Sequence, residues 1–453
     1  MLTNQPIPEN FLHCKDLNLI ITKALESVDP EKCVKKVIER KSDSMVLDKY
    51  EYKLKDIHKV YVVGVGKAVL PMAFAISETL NDLLAEGILI SKHEDHDIQL
   101  RLNKKLRVLK GSHPIPDLLS IEATEKMLDM LKKTIPHDLV IGLISGGGSA
   151  LLTYPVEEIG LAGVQSITSL LLKCGATIEE MNTIRKHLDK IKGGGLLKQI
   201  YPSKSVNLIL SDVLGDPLSM IASGPTCADP TTFSDCIKIF QKYGIEEQVD
   251  SNVMEYLKNG VLGLHEETIK EGDPIIRDHK NVIVGSLSIA AEAAHQQAVK
   301  SGFVTKILTT SLRGEARVAG LDLANRLVDL VKYKKINNKP VCMIAGGETT
   351  VTVTGKGKGG RNQELVLAAA QVLEGIENCA FISFATDGED GPTDAAGGIV
   401  TGETINKGYV ANLDPGDFLR NNNAYEYLNS VGGLIRTGPT GTNVNDLVLM
   451  FAF

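Results

Sequence analysis

The stretch HKVYVVGVGKAVLPMAFAISETL, residues 58–80, decides the fold class. It opens with a β-branched run to Val63, turns at Gly64 and Gly66, and continues as a helical pattern. In that pattern Val69, Met72, Ile76 and Leu80 fall at i, i+3, i+7 and i+11, one face of a 3.6-residue period. A strand, a glycine turn and a helix in this order form the first part of a βαβ unit. LVIGLISGGGSALLTYP (139–155) repeats the theme around a Gly-Gly-Gly turn, and SVNLILSDVLGDP (205–217) is a further buried strand ending in a polar loop. The alternation predicts an α/β protein with a mainly parallel sheet and helices on both faces.

From Gln248 to about Asp278 the chain is polar and charged, without a clear strand candidate. New units then start at NVIVGSLSIAAEAAHQQAV (281–299) and continue through KPVCMIAGGETTVTV (339–353), NCAFISFATDGEDG (378–391) and DLVLMFAF (446–453). A boundary is expected near residue 275, giving domains 1–275 and 276–453, and 453 residues suit two cores better than one. Neither a low-complexity tract nor a short-period repeat interrupts this organisation.

Composition narrows the function. With 43% hydrophobic and 23% charged residues the chain reads as globular. A net charge of −7, no tryptophan and only 5% aromatics argue against a nucleic-acid partner. The seven cysteines are scattered without a CxxC pair, which fits a reducing compartment rather than a disulfide framework or a zinc centre. The N-terminus has no basic and apolar signal-peptide pattern, and no apolar run approaches 18 residues. A cytoplasmic protein with no membrane association is expected.

Ligands of open α/β sheets bind beyond the carboxyl ends of the strands, where glycine turns free backbone N–H groups for anions. Three stretches fit: GVGKA (64–68), SGGGSA (145–150) and GKGKGGRNQE (355–364). None matches GxxxxGK[ST], and GVGKAV lacks the third glycine of a dinucleotide fingerprint, position 69 being Val. Lys67 and Arg361 each sit behind glycines at the start of an expected helix, where a cation opposes the helix dipole by a few tenths to ~1 kcal/mol. An anion is expected to complete each arrangement, and a nucleotide phosphate is the candidate; pairing with an internal acid is the alternative. Lys356 and Lys358 read as solvated, and His113 in GSHPIPD as a turn histidine.

Carboxylates gather in loops after strands. SDVLGDPLSMIASGPT (211–226) offers Asp212 and Asp216, with Ser223 and Gly224 opening a further turn. TDGEDGPTDAAGG (386–398) contains Asp387, Glu389, Asp390 and Asp394. Hard oxygen ligands suit Mg²⁺, which takes one or two carboxylates and leaves its other positions to water and phosphate. Asp and Gly are equally turn formers.

The motifs GVGKA, GSHPIPD, ISGGGSALL, MNTIRKHLDKIKGGGL, SDVLGDPLSMIASGPT, IAGGETTVTV, GKGGRNQE, TDGEDGPTDAAGG and TGPTGTNVNDL occur in this order from about residue 55 to 450. Together they resemble the glycerate 2-kinase family, whose C-terminal domain is named for its MOFRL motif. The last segment reads MFAF where the family carries MFRL, so the arginine position is Ala452. The resemblance implies a Rossmann-like three-layer N-terminal domain and a smaller α/β C-terminal domain. It also implies ATP- and Mg²⁺-dependent phosphorylation of D-glycerate to 2-phosphoglycerate in a cleft between them. Lys67 and Arg361 correspond to the family's proposed active-site cations.

Phosphoryl transfer asks mainly for positioning and charge neutralisation. On this basis Lys67, Arg361 and Asp212 are the catalytic candidates. Substrate or nucleotide binding is expected from Gly64, Gly66, Ser145, Gly146, Gly147, Gly148, Ser149, Asp216, Ser223, Gly224, Glu348, Asn362, Gln363 and Glu364. Metal binding is expected from Asp387, Asp390 and Asp394, with Asp212 as an alternative anchor; which carboxylate is base and which holds metal stays open. Cations on different domains predict that substrate closes the cleft. Two other readings stand beside the kinase: an NAD(P)H-dependent hydroxypyruvate reductase, and a non-catalytic nucleotide- or anion-binding protein. Oxidation of reduced nicotinamide cofactor by hydroxypyruvate would mark the first, nucleotide binding without ADP release the second. A homodimer is possible.

Overall fold

The structure, a computed structural model, describes residues 6–7, 11, 13–92, 96–337 and 339–453, the side chains of 96 and 333–337 excepted. The chain forms two compact units. One, here the N-terminal unit, is Pro30–Ser211 with Asp216–Val284; the other, the C-terminal unit, is Met1–Asp29, Asp212–Gly215 and Gly285–Phe453. The boundary expected near residue 275 falls in the 3₁₀ turn Pro274–Asp278 that precedes the last strand of the first sheet.

In the N-terminal unit β1 (Ile38–Arg40), β2 (Ser44–Leu47) and β3 (Tyr50–Lys53) make a small antiparallel sheet. The main sheet holds β4 (Val60–Val65), β5 (Leu84–Ser91), β6 (Leu106–Lys110), β7 (Leu139–Ile144), β8 (Lys204–Leu210) and β9 (His279–Gly285), in the order β6-β5-β4-β7-β8-β9. From β6 to β8 every pairing is parallel. All six residues of β4 and of β7 are buried, as central parallel strands covered on both faces require. The helix Val69–Leu80 carries Val69, Met72, Ile76 and Leu80 into the core, the face that its periodicity marked out. A helical cluster around Ile184, Leu188, Phe233 and Phe240 forms a second apolar centre of this unit.

The order of the strands places the ligand end. From β4 the chain builds β5 and β6 to one side, then crosses to β7 on the other. Val65 pairs with Ile144 and Ile144 with Ile209, so β4, β7 and β8 end nearly level. The loops GKA and SGGG thus leave neighbouring strands in opposite directions, which is where an open sheet leaves a crevice.

The C-terminal unit has its own six-stranded sheet. Its strands are β10 (Val304–Leu312), β11 (Val341–Gly347), β12 (Cys379–Ala385), β13 (Gly397–Val400), β14 (Leu434–Ile435) and β15 (Asp446–Ala452), in the order β10-β11-β15-β12-β13-β14. Only β10 and β11 pair in parallel; β15 runs antiparallel between β11 and β12. Helices Ala316–Asn337 and Arg361–Leu373 pack together, and Leu323, Leu327, Val366 and Leu373 join Phe381 and Met450 in one core. Because β15 is reversed, Asp446 at its start pairs with Gly347 and Ala385 at the carboxyl ends of its two neighbours. No helix among the described residues is long and apolar enough to cross a membrane.

Candidate active site

In the N-terminal unit the glycine turns after β4 and β7 are tied to one another. Lys67 N–H donates to Gly146 O at 2.9 Å, Ala68 N–H to Ser145 Oγ at 3.1 Å, and Ser145 N–H to Val65 O at 3.0 Å. Gly66, at φ 124°, lets its backbone press against Ser145. Gly147 is left-handed at φ 83°, and a β-carbon there would meet His113 Cδ2 at 3.1 Å and Lys67 Cγ at 3.5 Å. Lys67 and His113 therefore both lie beside the Gly-Gly-Gly turn. Among the described residues, the N–H groups of Gly146 and Gly147 have no hydrogen-bond acceptor. Lys67 is exposed and has no acidic partner there. A cation beside unfilled backbone donors is what an incoming oxyanion needs.

The other wall is the turn from Ile221 to Gly224. Ala222, Ser223 and Gly224 all lie in the left-handed region, at φ 50°, 61° and 62°. The Ser223 hydroxyl bonds to that of Ser149 and donates to Asn182 Oδ1 at 3.1 Å. Gly193 and Gly194 donate to Ser223 O and Gly224 O at 3.0 and 2.8 Å. Asp216, half-buried and left-handed at φ 56°, precedes this turn. Gly64 is buried within β4 and serves its packing, since a β-carbon there would collide with Val69 and Leu89. Ser145, Gly146, Gly147, Gly148, Ser149, Ser223, Gly66 and Lys67 are thus brought together as expected residues of one place.

In the C-terminal unit Arg361 begins the helix Arg361–Leu373 and is fully engaged with acids. Its fork donates to Asp446 from Nε at 2.6 Å and Nη2 at 3.0 Å, while Nη1 donates to Glu348 at 2.8 Å. Burial disfavours the guanidinium charge, but Asp446 and Glu348 outweigh it and hold Arg361 above its ordinary pKa. The anion expected at this helix start is internal as well. Asp390 accepts from Asn362 N–H at 3.1 Å and Gln363 N–H at 2.9 Å, capping the helix. Burial lifts the Asp390 carboxyl to about 6 against the pull of those N–H groups. Internal acids thus balance Arg361 and the start of its helix in this structure.

Asp212 belongs to this unit, its carbonyl accepting from Asn445 Nδ2 at 2.9 Å, one residue before the Arg361 partner Asp446. Asn362, Gln363 and Glu364 turn inward rather than toward a ligand. Asn362 accepts from Ser383, Gln363 donates to Thr393 at 2.8 Å, and Glu364 accepts from Arg317 and from Asn422. All three are buried. Glu348 is exposed.

The three aspartates expected to hold Mg²⁺ do not converge on one ion. Both oxygens of Asp390 cap the helix. Asp394 is exposed and accepts from Tyr425 at 2.6 Å and Arg436 at 3.1 Å. Asp387 Oδ1 accepts from Glu389 N–H at 3.1 Å in its own turn. Among the described residues no group of three or more His, Cys, Asp or Glu is placed to hold a metal ion. Asp390 and Asp394 are thus engaged by partners within the C-terminal unit.

Sequence reasoning passed over Asp446, Asn445 and Asn182, while His113 lies in a bend as expected. Asp446 carried a signal, being a carboxylate at the head of an otherwise apolar strand. Asn182 carried none, because its role depends on Ser223, 41 residues away.

Two family models match the chain, a domain of unknown function (DUF4147) over residues 16–258 and the MOFRL family over residues 341–446. The glycerate 2-kinase of Pyrococcus horikoshii is 42% identical, over 95% of this chain and 95% of its own. The D-glycerate 2-kinase of Thermotoga maritima is 40% identical, over 95% of this chain and 96% of its own. A relative from Agrobacterium vitis that carries a hydroxypyruvate reductase name is 40% identical over 85% of each chain. Among solved structures, glycerate kinase from Thermotoga maritima matches with a TM-score of 0.84 at 38% identity, covering 97% of this chain and 99% of that one.

Proposed function

The chain belongs to the glycerate 2-kinase family and is a phosphotransferase, and from that premise we propose that it moves the γ-phosphoryl group of ATP to the C2 hydroxyl of D-glycerate. The observation that carries the site assignment is Lys67, an exposed cation with no acid beside it, standing over a turn whose Gly146 and Gly147 N–H groups are unfilled. Those groups bind oxyanion, and Lys67 neutralises the charge that spreads over the phosphoryl oxygens during transfer.

Arg361 is held by Asp446 on one side of its fork, leaving the exposed Glu348 as the partner that a substrate oxyanion replaces. Asp212 takes the acceptor proton. The C2 oxygen attacks the γ-phosphorus, the bond to the β-phosphate oxygen breaks, ADP leaves with that electron pair, and the hydroxyl proton passes to the Asp212 carboxylate. Asn445, bonded to the Asp212 carbonyl, positions that loop.

Incubation with ATP, Mg²⁺ and D-glycerate, with the products resolved by ³¹P NMR, tests the reading. Release of ADP with 2-phosphoglycerate is the expected result. Formation of the 3-phosphate overturns the position of transfer, and absence of ADP release overturns the kinase.

A further inference from the structure

The helix Ile178–His187 and the loop after it carry a dense set of charges. Lys186 donates to Asp229 at 2.5 Å, Lys192 to Asp189 at 2.7 Å, and His187 Nε2 lies 2.9 Å from Glu267. Arg185 stands apart from this pattern. It is half-buried, yet among the described residues it has no hydrogen bond and no ion pair. Burial without an acid lowers its pKa, though a guanidinium keeps its charge at neutral pH. Five donors drawn partly out of water with nothing to receive them are costly, and a local rule broken without internal compensation marks a place made for something else.

Its position says what that is. Arg185 lies three residues beyond Asn182, and residues at i and i+3 share a helix face. Asn182 accepts from Ser223, whose hydroxyl bonds to Ser149 at the Gly-Gly-Gly turn. The helix packs against Ile221–Ser223, and so does the segment Gly148–Leu151. Arg185 also lies close enough to Lys192 for the two charges to oppose each other, and Lys192 Nζ donates to Leu152 O at 3.0 Å. Arg185 is therefore on the side of the helix that faces the turn beside Lys67.

We propose that Arg185 binds the carboxylate of the acceptor hydroxy acid and determines the specificity of this site for acids over neutral polyols and amides. The shared chemistry is an oxyanion, which the nucleotide phosphates could also present. A planar guanidinium fork matches a carboxylate bidentately, whereas the compact ammonium of Lys67 acts as a point charge suited to phosphate. The assignment rests on the kinase reading above.

Steady-state kinetics of wild type, Arg185→Gln and Arg185→Lys, varying D-glycerate and ATP in turn, test it. Glyceramide serves as the acceptor without a carboxylate. A lost bidentate, charge-assisted contact raises KM for D-glycerate about 50-fold in Arg185→Gln, with KM for ATP within twofold. The preference for D-glycerate over glyceramide falls by a similar factor, and Arg185→Lys recovers part of both. A rise confined to KM for ATP overturns the proposal in favour of a nucleotide phosphate. An unchanged pair of KM values in either folded variant, or a drop in kcat alone, overturns it in favour of a structural cation. A wild type without ADP release fails the kinase reading itself, a result separate from any effect at Arg185.

Discussion

Lys67 carries its charge in the open, with no acidic partner among the described residues. Lys67→Ala should therefore leave the melting temperature within about 2 °C, since exposed unpaired side chains contribute under ~0.5 kcal/mol. The loss of charge neutralisation should still lower kcat/KM about 100- to 1000-fold. Matched thermal melts and assays check this, and a variant that keeps its activity would remove Lys67 from the mechanism. Arg361 differs because its two acids lie 13 and 85 residues away in sequence. Glycines followed by a cation were legible at both positions. Only the placement of Glu348 and Asp446 at one sheet end, which local sequence does not encode, separates an open cation from a saturated one. The same holds for Asp390, which looks like any acidic turn residue until its partner helix is in place.

At the scale of elements, the helix Arg361–Leu373 shows how a cap aims a side chain. Gly360 lets Asp390 reach the first helical N–H groups, and a β-carbon there would lie 2.3 Å from the Asp390 carboxyl carbon. Gly360→Ala should cost about 1–3 kcal/mol in denaturant unfolding, the worth of a lost charged cap. It should also lower kcat/KM, because Arg361 is the next residue. Unfolding at wild-type denaturant concentrations would show that the cap is dispensable. Strand β9 provides the pH counterpart. His279 accepts or donates at Ser205 through Nδ1 at 2.8 Å, while its buried Nε2 has no partner. Burial depresses it from 6.5 to about 4. The folded state thus holds His279 neutral where the unfolded chain takes a proton. The stability this provides is present above pH 6.5 and is lost as pH falls through about 4, up to ~3 kcal/mol. His279→Gln should flatten that acid limb in urea titrations between pH 7 and 4, and an unaltered limb would assign the acid sensitivity elsewhere. Strands with their glycine turns and amphipathic helices were readable because both signals are local. The reversed β15 was not, because strand direction is a property of distant pairing.

For the molecule as a whole, a double-mutant cycle tests whether Lys67 and Arg361 serve one step. Lys67→Ala with Arg361→Ala should lose less kcat/KM than the product of the single losses, as groups serving one transition state do. Strict additivity would mean independent roles. The α/β class and the parallel sheet follow from the order of motifs, and the switch between β4 and β7 then locates the Lys67 turn. How the chain is shared between the units follows from no motif. The C-terminal unit takes Asp212–Gly215 from the middle of the sequence and Met1–Asp29 from its beginning. A chimaera that exchanged this half with a relative's by a single crossover near residue 285 would combine segments from different parents inside one core. Three pieces of the gene have to travel together, so recombination at one point yields misfolded hybrids where a three-segment exchange yields working ones.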